Sequence, residues 1–366
     1  MLWQPKVQQH ALLAGLAYRI SYFDDNTVVT QQGDSASGFQ NHPEIMHLPG
    51  LFLQDEWQIK QHHTLLIGAR IDHNSTHGLV FSPRFNYKWN NPEIHSTFRI
   101  GAGNGYRVAQ VFTEDHAALT GARRVVFVEK LKPETSWNIN ANWVQKCYTN
   151  VAPIIVLDVT AFYTRFFNRI IPDYSDPNSI VYNNLNGTAT SKGLGLKVDV
   201  QLLSGLKFNT GVTWMDVSYT QDGLRRRQLL TEKFSGVWTV TYALPKLKLR
   251  IEYTGNVYSP MLLPLLGPLD TRAPMSPWWS IQNIQFTQDF RNFEVFCGIK
   301  NLLNFTPPAN SIARPFDPFD KQVVFDANGN AISTPNNPQA LTFDPTYVFA
   351  PNQGRRVFLG LRLHWN

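Results

Sequence analysis

SPRFNYKW (residues 82–89) sets Pro83, Phe85, Tyr87 and Trp89 against Ser82, Arg84, Asn86 and Lys88, one kind of side chain alternating with the other. Side chains of an extended chain point to opposite faces in turn, so this stretch reads as a strand with one apolar and one polar face. The pattern recurs along the chain. SWNINANW (136–143) opposes Trp137, Ile139, Ala141 and Trp143 to Asn138, Asn140 and Asn142. Leu194, Leu196, Val198, Val200 and Leu202 alternate with Gly195, Lys197, Asp199 and Gln201, and Leu247, Leu249, Ile251 and Tyr253 with Lys248, Arg250, Glu252 and Thr254. The last segment sets Val357, Leu359, Leu361, Leu363 and Trp365 against Phe358, Gly360, Arg362 and His364. None of these apolar faces carries a charge. In a membrane barrel, a Lys or Arg turned toward mid-bilayer costs roughly 2–4 kcal/mol. A half-buried soluble sheet has the same period, so alternation alone leaves both readings open.

Composition narrows the choice. The 366 residues fit two soluble domains or one large barrel. Aromatic residues make up 13% against 16% charged, with 10 Trp, 13 Tyr and 24 Phe, an excess suited to a membrane interface. The most apolar runs, 152–159 and 260–269, fall short of the roughly 20 residues of a membrane helix, so any span must be a closed barrel. A net charge of +6 would permit nucleic-acid binding. The bases are dispersed singly, however, apart from Arg225 to Arg227 in an expected loop, and no recognition motif accompanies them, which excludes that class. Cys147 and Cys297 stand far apart without a second pair, against a disulfide scaffold or a zinc site.

Strands are expected near 10–23, 48–57, 64–73, 79–89, 95–107, 134–149, 153–170, 180–203, 205–220, 229–244, 247–260, 277–290, 292–304 and 355–366, about 14 in all. Connections after the first, fifth, eleventh and thirteenth are long. Those after the second, fourth, eighth, tenth and twelfth are tight, with turn residues such as Ser204-Gly205, Pro245-Lys246 and Arg291-Asn292. Long outer loops and brief periplasmic turns mark a bacterial outer-membrane barrel. Parity then sends the last strand down to the periplasm and places loop 305–354 outside, where Asn328-Gly329 suggests a small hairpin. Trp57, Trp89, Trp143, Tyr242 and Trp365 fall at periplasmic ends, and Tyr22, Tyr106, Tyr163, Tyr219, Tyr258 and Trp278 at extracellular ends, as two girdles. Ordinary cross-strand packing in a soluble sandwich is the alternative reading of these rings.

Several segments resemble the TonB-dependent outer-membrane receptors of Gram-negative bacteria. LLIGARIDHNSTHG (65–78), FSPRFNYKW (81–89), FRIGAGNGYRVAQVFTEDH (98–116) and LKPETSWNINANW (131–143) are similar, in order, to successive strands of that family. GIKNLLNF (298–305) is similar to its penultimate strand and GRRVFLGLRLHW (354–365) to its terminal one. Within the family, the resemblance is to receptors for ferric siderophores and colicins. It implies an all-β fold, a transmembrane antiparallel β-barrel of about 22 strands, of which this chain supplies about 14 as the C-terminal portion over 1–366. The N-terminal plug, the TonB-contacting box and the first strands are expected to be absent, as is an export signal. The chain ends on Asn366 where the family usually ends on the aromatic itself, so recognition by the assembly machinery is expected to use Trp365. Such a chain is expected not to transport by itself.

The resemblance implies active transport in the bacterial outer membrane, with membrane lipid, TonB and a ferric siderophore or similar small nutrient as partners, no nucleic acid, no cofactor and no catalysis. The Phe-Arg-Ala-Pro and Asn-Pro-Asn-Leu motifs of the family's haem receptors do not occur, which points away from haem. A passive porin or a soluble β-rich binding protein are the competing classes. No nucleophile elbow or phosphate loop is visible. Asp72, His73 and His77 are spaced like metal ligands, although a polar loop reads the same way without a further ligand. Arg70, Arg84, Lys88, Arg99, Arg107, Lys197, Lys248, Arg250 and Arg362 are expected to face the lumen, either attracting anionic ligands or paired with lumen acids including Asp72, Asp199 and Glu252, or with the plug that the resemblance implies. Candidate ligand contacts are Arg84, Arg99, Tyr106, Arg107, Phe112, His116, Phe316, Phe319 and Tyr347. The outer-loop rings among them also suit packing of loop on loop.

Overall fold

The computed structural model describes residues 2–24, 31–32, 40–41, 43–108, 124–176, 179–265, 270, 272–290, 292–311, 323–327, 331–335 and 346–364. One antiparallel sheet dominates. Its long strands are His10–Phe23, Glu44–Lys60, His63–Asn74, Gly78–Asn91, Ser96–Arg107, Glu134–Cys147, Ile154–Asn168, Gly187–Gln201, Leu206–Gln221, Phe234–Leu244, Leu249–Tyr258, Gln282–Asp289, Phe293–Lys300 and Arg356–Leu363. Each pairs with the next in an up-and-down meander, and every expected strand has its counterpart among them.

The sheet is turned inside out relative to a soluble protein. Many of its large apolar side chains are exposed, among them Leu51 and Leu53 at 57% and Val357 and Leu359 at 77%, while Asp72 is 2%, Thr287 2% and Glu294 8% exposed. A soluble sandwich buries the first set and exposes the second, so the outward face belongs to a nonaqueous solvent. No helix among the described residues is long and apolar enough to cross a membrane.

The differences from expectation are local. Leu2–Trp3 and Lys6–Val7 pair with the start of the His10–Phe23 strand and add a short strand at one edge, interrupted at Pro5, which has no N–H to donate. The expected strand over 180–203 is two pieces. Ser179–Asn184 leaves the main sheet, pairing in parallel with Arg124–Phe127 and antiparallel with Ile170–Asp173 in a small outer sheet. The break is fixed by Asn184, whose Nδ2 donates to the Lys130 carbonyl at 3.0 Å and whose Oδ1 accepts the Lys132 N–H at 2.8 Å. Lys248 is not on a luminal strand face: it follows the short 3₁₀ turn Pro245–Leu247, with φ of 49°. In the 305–354 loop, Val324–Phe325 pairs with Ala331–Ile332 as a hairpin, while its Asn328-Gly329 tip lies outside the described residues.

The girdles hold in part. Trp57, Trp143 and Tyr242 are outward and 38–40% exposed near one rim, and Tyr22, Tyr163 and Trp278 are outward and 44–61% exposed near the other. Tyr219 and Tyr258 are corrections. The period of two that turns Trp214 and Tyr253 outward turns these two inward, and Tyr258 stacks on Trp279 at 4.3 Å. Trp365 lies outside the described residues.

Above the outer rim the ordinary polarity returns. Met261, Leu263, Trp279, Tyr347, Phe349 and Ala350 form a buried cluster, with Tyr258, Leu265, Ile281 and Phe305 packed against it. A smaller cluster gathers on Ile180 and Tyr182 beneath the outer sheet.

Candidate functional site

Chemistry concentrates on the polar face and at its outer mouth. Residues i and i+2 of a strand are neighbours on one face, and three ion pairs use that spacing. They are Arg70 Nη2 to Asp72 Oδ1 at 2.7 Å, Lys197 Nζ to Asp199 Oδ2 at 3.0 Å and Arg250 Nε to Glu252 Oε2 at 3.3 Å. Two more cross between strands: Arg107 Nε donates to Glu134 Oε2 at 2.7 Å, and Arg362 binds Glu294. The acids Asp72, Asp199 and Glu252 thus answer neighbouring bases.

The Arg70–Asp72 pair is the most enclosed of those that use this spacing within the sheet. Arg70 Nε donates to both Asp72 oxygens at 2.9 and 2.7 Å. Gly50 lies directly opposite, and a Cβ there would stand 2.1 Å from Asp72 Oδ1, so only glycine leaves room for the carboxylate. Beside it runs a lane of amides. Arg99 Nη1 donates to Asn142 Oδ1 at 3.0 Å, Asn142 Nδ2 donates to Asp158 Oδ1 at 2.6 Å, and Asn140 Nδ2 donates to Asn138 Oδ1 at 2.9 Å. Gly101 keeps the lane open, since a Cβ would meet Asn86 Oδ1 at 2.7 Å. Arg84 is on the same face, opposite Gly68 on one side and Gly103 on the other. Further round the wall lies a trough of about 600 Å³ lined by Lys197, Asn209, Thr213, Thr254 and Asn283.

At the outer mouth Glu134, 7% exposed, holds Arg107 with one oxygen and accepts the Ile170 N–H with the other at 3.0 Å. Arg169 lies over the Phe166 ring at 5.1 Å, where burial holds its guanidinium pKa below the ordinary value, the charge of Glu134 opposing this only in part. A cavity of about 670 Å³ opens nearby between Tyr174, Asn183, Tyr219, Arg226, Arg227 and Leu262.

The candidate contacts fall into separate places. Arg84 and Arg99 share the polar wall, and Tyr106 and Arg107 end the strand that leads from it to the mouth. Tyr347 is inside the outer cap, 2% exposed, its hydroxyl donating to the Ala273 carbonyl at 2.7 Å. It packs loop on loop, and burial raises its pKa. Phe112, His116, Phe316 and Phe319 lie outside the described residues. Asp72 and His73, adjacent in one strand, point to opposite faces, and no group of three His, Cys, Asp or Glu able to hold a metal occurs among the described residues.

One element went unforeseen. Arg272 and Asp270 form a pair with side chains 5% and 1% exposed, Nη2 to Oδ2 2.7 Å, and the guanidinium covers the Tyr347 ring at 4.3 Å. The signal was present as opposite charges two residues apart, the spacing of Arg70 and Asp72, but within a proline-rich loop no strand directs attention to it.

Comparison with known proteins accords with this geometry. An iron-regulated outer membrane virulence protein of Vibrio cholerae is 31% identical over 121 residues, 32% of this chain and 18% of that protein. A mutant ferric enterobactin receptor of Pseudomonas aeruginosa, solved with enterobactin, superposes with a TM-score of 0.66 at 16% identity over 99% of this chain and 53% of that one. The siderophore receptor PirA of Acinetobacter baumannii gives 0.65 at 14% identity, covering 98% of this chain and 53% of that one. The chain therefore spans about half the length of these structures, and at such identity the likeness concerns the fold. A family model described as TonB dependent receptor-like, beta-barrel matches residues 3–302, and with apolar side chains turned outward and ion pairs turned in, the chain belongs to that family of outer-membrane receptors.

Proposed function

We propose that the chain is the C-terminal part of the barrel in a TonB-dependent active transporter that takes up a ferric siderophore or a similarly scarce nutrient. The observation that carries this reading is the inverted polarity of the sheet: an apolar outer face and a charge-paired inner one belong to a lipid-embedded tube. Family membership and a relative named as iron-regulated support the transport of iron complexes.

In this reading the ligand is captured at the outer mouth, where Tyr106 and Arg107 sit with the loops that carry Phe112, His116, Phe316 and Phe319. Tyr347 steadies the loop segments around Met261, Leu263 and Ala273 by packing among them. Arg84 and Arg99 line the path below, and the lumen's field favours an anionic cargo. TonB supplies the work through a region other than the strands described above.

The test is uptake of iron-55 as a ferric siderophore by cells whose sole ferric receptor is the full-length protein containing this barrel. Uptake that disappears when TonB is deleted is expected. Uptake that persists without TonB and rises linearly with concentration would mean a passive pore and end this reading.

A further inference from the structure

Five bases of the polar face have a carboxylate, but a neighbouring group does not. Lys88 and Arg99 are directly opposite each other on adjacent strands, three residues or fewer from the ends that flank the tight turn 92–95. Like charges so placed destabilise a strand pair. No hydrogen bond or ion pair joins Lys88 to any described residue, and Arg99 has only the amide of Asn142.

The nearest acids on this face do not reach them. Glu56 is two strands away on one side and Asp158 two strands away on the other, each displaced by two residues, roughly 12 Å at the Cα. Asp158 already accepts from Asn142, which holds its oxygen toward Arg99 and its NH₂ toward Asp158. That amide fixes one edge of the guanidinium, whose other N–H groups have no partner among the described residues and lie on the strand directly opposite Lys88. Such an arrangement fits two oxygens sharing one negative charge.

We propose that Lys88 and Arg99 form an oxyanion site at the periplasmic end of the lumen, which takes one carboxylate between the ammonium and the free edge of the guanidinium. The site is independent of which cargo the receptor carries. Its carboxylate comes either from a small free anion or from an Asp or Glu side chain of a polypeptide segment inside the tube.

Both sources are distinguishable in outer-membrane fragments containing the full-length protein. Reductive methylation of Lys88, followed by peptide mass spectrometry, is measured with and without citrate, and a water-soluble carbodiimide is used separately to join amines to touching carboxylates. Citrate slowing Lys88 at least tenfold while leaving Lys197 unchanged, with the protection lost in Arg99→Gln and kept in Arg99→Lys, supports a free carboxylate. A cross-link from Lys88 to an acid in a segment other than the described strands supports a side-chain carboxylate. Lys88 reactivity that neither citrate nor Arg99→Gln changes, together with no cross-link, overturns the proposal. So does a cross-link to Glu56, Asp158 or Glu93 of the adjoining turn, because the described chain's own acids would then answer the pair. Heat-modifiable migration on gels checks that each variant is folded.

Discussion

Leu53 in the sheet is 57% exposed and Tyr347 in the outer cap 2%, although both carry large apolar bodies. The sheet and the cap obey the same preference in different solvents. Against lipid, apolar groups gain nothing by hiding, so packing is governed by where polar groups can be satisfied, and those turn inward. In water above the rim, the hydrophobic effect returns and Met261, Leu263, Trp279 and Phe349 gather into a core. Charge is treated alike in both places, since each encloses an Arg beside an acid two residues away in sequence.

That contrast is open to attack from either side. The largest effect is expected in the cap, where Asp270→Asn leaves Arg272 buried without a counter-charge and should cost about 3–5 kcal/mol of local stability. Limited proteolysis should then cut near 346–350 while the sheet keeps its heat-resistant mobility; an uncut cap would mean that apolar packing alone holds it. Next comes the outer face of the sheet. Leu53→Arg should destabilise refolding into lipid vesicles by roughly 2–4 kcal/mol, whereas Gln54→Arg, one residue on and facing inward, should stay within about 0.5 kcal/mol. Equal costs would remove the distinction between the faces. A smaller loss than that of Leu53→Arg is expected of Tyr347→Phe, which removes one hydrogen bond, about 0.5–1.5 kcal/mol.

Tyr347 also carries a pH dependence with a definite sign. Burial raises its pKa above the ordinary 10.0, so the folded cap holds the phenolic proton more tightly than the unfolded chain does. Its contribution is complete below the unfolded value and declines as pH rises through the folded one. Protease sensitivity of the cap should therefore grow in alkaline solution above that ordinary value, and Tyr347→Phe should remove this component. A variant with the same alkaline profile would place the titration elsewhere.

The sheet was legible because its causes are local. Alternation in 82–89 fixes both faces from eight residues, and a proline or glycine marks where a strand turns. Even the inward turn of Tyr258 follows from the parity of Leu249, Ile251 and Tyr253; the girdle reading weighed its ring above its position. What stayed hidden depends on distant partners. Ser179–Asn184 looks like the start of the strand that follows it, and only its parallel pairing with Arg124–Phe127, over fifty residues away, draws it out of the main sheet. The polar wall was legible as a list of inward bases, but which of them have acids depends on register. Lys88 and Arg99 illustrate this: nothing in 79–107 read singly says that the two are opposed.

The outer strands of the main sheet carry a final consequence. Counting residues 2–7 as one strand beside the fourteen long ones, the antiparallel meander has an odd number of members, so its two edge strands, 2–7 and 356–363, run in the same direction. They cannot zip to each other without forming the one parallel junction in an otherwise antiparallel wall. On the proposed reading as part of a larger barrel, an odd number of further strands would join these fifteen described ones with every junction antiparallel, and the total is then even, as in single-chain bacterial barrels.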